Sequence, residues 1–175
     1  MKSLQRLLWV VSLLLLWPWV VRAGGGTGVA GDEELPPTSA LAQLHAAPLE
    51  LSVQLGGTQS LLLDAGLARA GESYLLLGST SQDEQDCGLD LGAHSLPLQA
   101  DAYLLATLYT PGSGALRNSR GSLDHEGRAR AEFVLPPAAS PALVGLELKH
   151  AFAVLDAHTG QVRCTSEAAP LRFVP

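Results

Sequence analysis

The sequence predicts an all-β fold, an antiparallel β-sandwich of immunoglobulin-like or similar kind with seven to eight strands. Three observations carry this. Residues 49–55 alternate strictly between apolar and polar, and residues 128–135 do the same, which is the period of a half-buried strand. Turn sequences rich in Asp and Gly separate the apolar runs. No stretch beyond the N-terminus shows a capped helical period.

The elements follow in order. Leu49, Leu51, Val53 and Leu55 fall on one face, with Glu50, Ser52 and Gln54 on the other. Gly56-Gly57 turns the chain into a second strand over 59–64, and further strands are expected over 73–77 and 102–109. In 128–135, Ala129, Ala131, Phe133 and Leu135 oppose Arg128, Arg130 and Glu132. The longest run, 143–155, sets Val144, Leu146, Leu148, Phe152 and Val154 against Glu147 and Lys149. A terminal strand is expected over 171–174. Asp124-His125-Glu126-Gly127 and Asp156-Ala157-His158-Thr159-Gly160 read as hairpin turns, because Asp bonds the backbone ahead of it and Gly accepts positive φ.

The first 23 residues are expected to be a cleaved signal peptide. Lys2 and Arg6 precede an apolar run from Leu7 to Val21, and Val21-Arg22-Ala23 suits signal peptidase. The run is short of the roughly 20 residues of a membrane span. Residues 24–47 read as a flexible leader, with Gly24-Gly25-Gly26, three acids (Asp32, Glu33, Glu34) and Pro36-Pro37. Residues 48–175 then form the sandwich module. Export is expected, to the periplasm, cell surface or medium.

Cleavage leaves eight basic residues against seventeen acidic ones, a net charge of −9. That balance argues against nucleic acid, whose binding rests on Lys and Arg, and against an anionic membrane surface after cleavage. The two cysteines, Cys87 and Cys164, both remain. In an exported chain they are expected to form one disulfide. Closing a loop across their 77 positions is worth about 4 kcal/mol at most in the loop-entropy picture.

Several stretches in order resemble a module found, often at the C-terminus, in exported proteins of planctomycetes and related bacteria. They include Ser60-Leu61-Leu62-Leu63-Asp64-Ala65-Gly66, Ala70-Gly71-Glu72-Ser73-Tyr74 through Ser79, Leu96-Pro97-Leu98 and Asp101-Ala102-Tyr103. They continue with Gly121-Ser122-Leu123-Asp124, His150-Ala151-Phe152-Ala153-Val154-Leu155-Asp156 and the closing Leu171-Arg172-Phe173-Val174-Pro175. The resemblance implies export and a β-rich module, with no activity or site to transfer. Family members commonly have Ser-Asn or similar where this chain has Arg163-Cys164-Thr165, so the disulfide reads as a local addition.

Motifs with chemical meaning are few. Gly26, Gly28 and Gly31 spell G-x-G-x-x-G, but a dinucleotide site needs a strand before it and a helix after it. No nucleophile elbow occurs. A hydrolytic triad assembled in space, for instance from Asp64, His94 and Ser79, is one alternative function. Asp83, Glu84, Asp86 and Asp90 surround Cys87, and calcium-dependent binding through loop 83–90 is another, although a solvated loop explains the same residues. Of His45, His94, His125, His150 and His158, His125 and His158 belong to turns. His150 falls on the apolar face of the longest strand, where a core histidine satisfied by a neighbour is expected. The mature chain lacks Trp, and Tyr74, Tyr103 and Tyr109 sit in apolar settings, which disfavours a carbohydrate-stacking face. The expected role is a non-catalytic secreted interaction or structural module, without a cofactor or metal. Its partner would be another extracellular or envelope macromolecule.

Overall fold

The strictly alternating segments fold as strands because pleating sends successive side chains to opposite faces. In the computed structural model, residues 42–80 and 88–175 are described; the expected signal peptide and nearly all the expected leader lie outside them. The strands are β1 (Gln43–Ala47), β2 (Glu50–Ser52), β3 (Gly57–Asp64), β4 (Ser73–Thr80), β5 (Leu89–Asp90) and β6 (Ser95–Leu96). They continue as β7 (Leu116–Arg117), β8 (Arg120–Ser122), β9 (Arg128–Leu135), β10 (Glu147–Leu155), β11 (Val162–Thr165) and β12 (Ala169–Val174). One sheet has the order β1-β3-β9-β7; the other runs β2-β12-β10-β4-β8, with β11 also beside β10, and β5-β6 form a hairpin. Every pairing is antiparallel except β12 with β2.

The two large sheets pack face to face. Leu61 and Leu63 of β3 and Ala131, Phe133 and Leu135 of β9 meet Tyr74 and Leu76 of β4, Leu148, Phe152 and Val154 of β10, and Leu171 and Phe173 of β12. Phe133 stacks obliquely on Phe173, with ring centroids 6.0 Å apart. Gln59, fully buried on β3, ties the layers together: its Nε2 donates to the carbonyls of Pro48 and Pro170 at 3.0 and 3.1 Å. The opposite face of the six-stranded sheet is covered as well, where Leu77 and Ala151 pack beneath Leu96, Leu98 and Leu104.

Three expectations need correction. Residues 102–109 form an α-helix, α1 (Ala102–Tyr109), not a strand. Its sequence lacks a period of two and is built from Ala and Leu, strong helix formers. Asp101 caps it by accepting the Leu104 N–H at 2.7 Å. The expected leader also ends earlier than Ala47, because Gln43–Ala47 pairs along β3 from Gln43↔Asp64 to Ala47↔Ser60. Composition alone hid this edge strand. Within 49–55, only Glu50–Ser52 pairs as a strand, before a tight turn closed by Gly56 N–H to the Ser52 carbonyl at 2.8 Å. The strands absent from the sequence reading include β5, β6 and β7, each two residues long and too short to show a period.

β4 is longer than its neighbour β8, which pairs only with Ser73–Leu75. Helix α1 covers the rest of that edge. The Gly78 N–H donates to Thr107 Oγ1 at 3.2 Å, and the Thr80 N–H and hydroxyl donate to Asp101 Oδ2. Side chains thus replace a missing strand and blunt an edge that would otherwise recruit other chains. The helix also drives Tyr103 over Gly78, where a Cβ would collide with the phenol ring and come within 3.0 Å of the His150 ring. Gly78→Ala is expected to destabilise the protein by about 1–3 kcal/mol through overpacking, read as a lower denaturant midpoint with an unchanged slope. An unchanged midpoint would show that Tyr103 is not held over β4.

Candidate functional site

A groove of about 530 Å³ opens where β8 and β9 separate. Its origin is a strand that changes sheets. Leu116 and Arg117 pair with Phe133 and Glu132 of β9. The chain then passes through Asn118, whose φ of 51° is left-handed, and continues as β8 along β4. The Tyr74 hydroxyl donates to the Asn118 carbonyl at 2.9 Å and fixes the crossing point. Gly121 lies against the Tyr74 ring, where a Cβ would come within 3.1 Å of the ring and its hydroxyl. The far end closes at the hairpin turn, where the Asp124 N–H donates to the Arg128 carbonyl at 2.8 Å. Between these closed ends β8 and β9 splay apart.

Tyr74, Ala129 and Leu62 contribute apolar lining; Arg120, Ser122, Arg128 and Arg130 contribute polar walls. The acids at the rim are already engaged. Asp124 Oδ1 accepts the N–H groups of Glu126 and Arg128, both at 2.9 Å, and these bonds hold its carboxyl below the usual range. Arg128 pairs with Asp64 and Glu126, each at 3.0 Å. Arg120 and Arg130 form no ion pair among the described residues. Sequence reading put Arg130 on the polar face of 128–135 and did not single out Arg120. One signal could have drawn attention to them: half of the eight basic residues after the expected cleavage fall between 117 and 130.

The backbone adds donors to this groove. The Leu123 N–H donates to the Glu72 carbonyl just before β4, and the Ser119 carbonyl accepts from Leu76 of β4, so by alternation the N–H and C=O of Arg120 and Ser122 face away from β4. On β9, the Val134 N–H bonds Ala115 and the Arg128 N–H bonds Asp124. Arg130, two residues from Arg128 and four from Val134, therefore turns its N–H and C=O to the same open side.

The residues singled out in the sequence fall elsewhere. His150 is fully buried and faces the inter-sheet core. Its Nε2 is hydrogen bonded to the Tyr103 hydroxyl at 3.0 Å, and its ring lies 5.6 Å from that of Phe133. The expected core histidine with a satisfying neighbour is what the structure contains. Nδ1 has no partner among the described residues. Burial lowers the His150 pKa to about 4 and raises that of Tyr103 above its ordinary value. Asp64 and Ser79 lie on opposite outer faces of the sandwich: Asp64 alternates outward from the buried Leu63 of β3, and Ser79 shares the outer side of β4 with Leu77. His94 sits in the β5-β6 turn, so the three do not form a triad. His125 and His158 are exposed in their turns and His45 is exposed on β1.

Asp83, Glu84 and Asp86 lie outside the described residues, as do Cys87 and the glycines of the leader. Asp90 accepts the Gly92 N–H at 2.8 Å, and among the described residues no three His, Cys, Asp or Glu side chains converge to hold a metal ion. Cys164 is half-buried on β11, opposite Val154, and burial raises its pKa. No helix among the described residues is long and apolar enough to cross a membrane. Compared with known proteins, the chain matches no family model and no curated protein sequence.

His150 makes stability depend on pH with a definite sign. The unfolded histidine titrates near 6.5 and the folded one near 4, so the unfolded state binds the proton first and folding weakens as pH falls. The loss should begin near pH 6.5, reach about 3 kcal/mol by pH 4 and then level off. Denaturant titrations of wild type and His150→Gln should diverge in this window, the variant lacking this component of the acid loss. Parallel curves would contradict the buried, neutral histidine.

Proposed function

We propose that this chain is a secreted, non-catalytic interaction module that meets its partner at the groove between β8 and β9. One observation carries the reading: two arginines on the two walls of one groove form no ion pair among the described residues, in a protein with a large excess of acid. An acidic protein has many carboxylates with which to neutralise surface arginines. Arg120 and Arg130 instead remain available to a second molecule, beside a floor made partly of apolar side chains. The apolar segment Leu7–Val21 and the likeness to exported bacterial modules support the secreted address. The hydrolase alternative loses its named residues, since Asp64 is engaged by Arg128 and stands across the sandwich from Ser79.

Thermal unfolding of Gly24–Pro175 with a panel of cell-envelope polysaccharides, with calcium and with chelator tests this reading. A ligand that binds only the folded state raises the midpoint. At a ligand concentration of 100 Kd the gain is about 2.7 kcal/mol. A saturable rise with a polysaccharide supports the module reading; a rise with calcium alone favours the acidic-loop alternative. A flat panel counts against an envelope-polysaccharide partner and leaves cross-linking on intact cells to find a protein one.

We further propose that Cys87 and Cys164 are joined in the exported protein. Intact mass should increase by two hydrogen atoms on reduction, and a non-reduced digest should contain a peptide pair linking the two residues. Two free thiols in freshly exported protein would contradict this.

A further inference from the structure

We infer that the groove between β8 and β9 is an oxyanion site, which takes a carboxylate, sulfate or phosphate group between the guanidinium groups of Arg120 and Arg130. This rests on the interaction-module reading and gives it a ligand chemistry. Guanidinium presents forked donors that match the paired oxygens of such groups, so two of them on facing walls can bind one anion from both sides. The backbone N–H groups of Arg120, Ser122 and Arg130 turn toward the same space, by the alternation set by their neighbours' bonds. Oriented amides of this kind favour anions.

The nearby carboxylates do not occupy the site. Asp124 is held by two turn amides, and both Glu126 and Asp64 are drawn to Arg128. An anion entering the groove therefore meets two cations that form no ion pair among the described residues, with the rim carboxylates Asp124, Glu126 and Asp64 already neutralised or hydrogen bonded.

The shape of the groove selects a compact group. Pairing closes it at both ends, through Arg117↔Glu132 on one side and Asp124 with Arg128 on the other. A polypeptide cannot thread through it as an added strand. The charged end of a sugar, a peptide terminus or a free ion can enter from outside. The apolar Leu62 beside it offers a surface for whatever carries the anion.

The experiment is a titration of Gly24–Pro175, at constant ionic strength in chloride, with inorganic sulfate, inorganic phosphate, free glucuronate and a uronic or sulfated polysaccharide. Amide shifts at Arg120, Ser122 and Arg130 report the site, and thermal midpoints report affinity. Arg120→Gln/Arg130→Gln removes the clamp at two exposed positions, and Lys149→Gln/Arg172→Gln removes the same charge elsewhere. The inference predicts saturable shifts at those three amides, with binding weakened at least tenfold in the first variant and retained in the second. If free ions and polysaccharide both bind, the oxyanion alone is recognised; if only the polysaccharide binds, its carrier contributes. Equal weakening in both double variants means only bulk charge and overturns the inference, as does the absence of saturable shifts. A polysaccharide that binds wild type and the Arg120→Gln/Arg130→Gln variant equally overturns the oxyanion site and the groove as the meeting place, but leaves a secreted interaction module that binds elsewhere.

Discussion

One short segment serves both sheets of this sandwich, and much of the remaining architecture follows from that economy. Leu116 and Arg117 complete the edge of β9, and after Asn118 the same chain completes the edge of β4. Neither edge is covered along its whole length. The backbone groups of β4 beyond Leu75 must be satisfied by something other than a strand, since unpaired buried N–H groups are costly. Asp101, the cap of α1, and Thr107 within it supply the acceptors. Among the described residues, the stretch of β9 between Arg128 and Glu132 receives no such cover, and the groove is the result.

The helix that repairs β4 also determines the most constrained part of the core. Holding α1 against Gly78 and Thr80 places Tyr103 between the sheets, where its hydroxyl reaches His150. Gly78 is small because the phenol ring lies on it. A histidine buried among Phe133 and aliphatic side chains would be expensive without a polar neighbour, and Tyr103 is that neighbour. Edge repair, glycine, tyrosine and histidine are therefore one arrangement.

The sequence made parts of this plain. Alternation located β9 to the residue and placed most of β3 and β10, because each has one face in the core and pleating writes that into the order of residues. It also put His150 on the buried side. Its partner was out of reach, because Tyr103 lies 47 positions away on an element read as a strand. The apolar run of α1 hid its period, whereas Asp101 three residues before Leu104 was a legible cap. Arg130 read as an ordinary residue of a polar strand face, and nothing in the local pattern singled out Arg120. Only the pairing of β7, β8 and β9 reveals that they border one groove, and pairing between strands is long-range information that local pattern does not contain.

The crossing at Asn118 has a mechanical side. A sandwich whose strands stayed within their own sheets could let one layer fray while the other persisted. Here, peeling β7 from β9 pulls on the residues that pair with Ser73–Leu75, and loosening β8 tugs the turn that leads into β9. Neither sheet can lose this edge without disturbing the other. The shared strand thus acts as a stitch between the layers, and it favours a domain that opens in a single concerted transition.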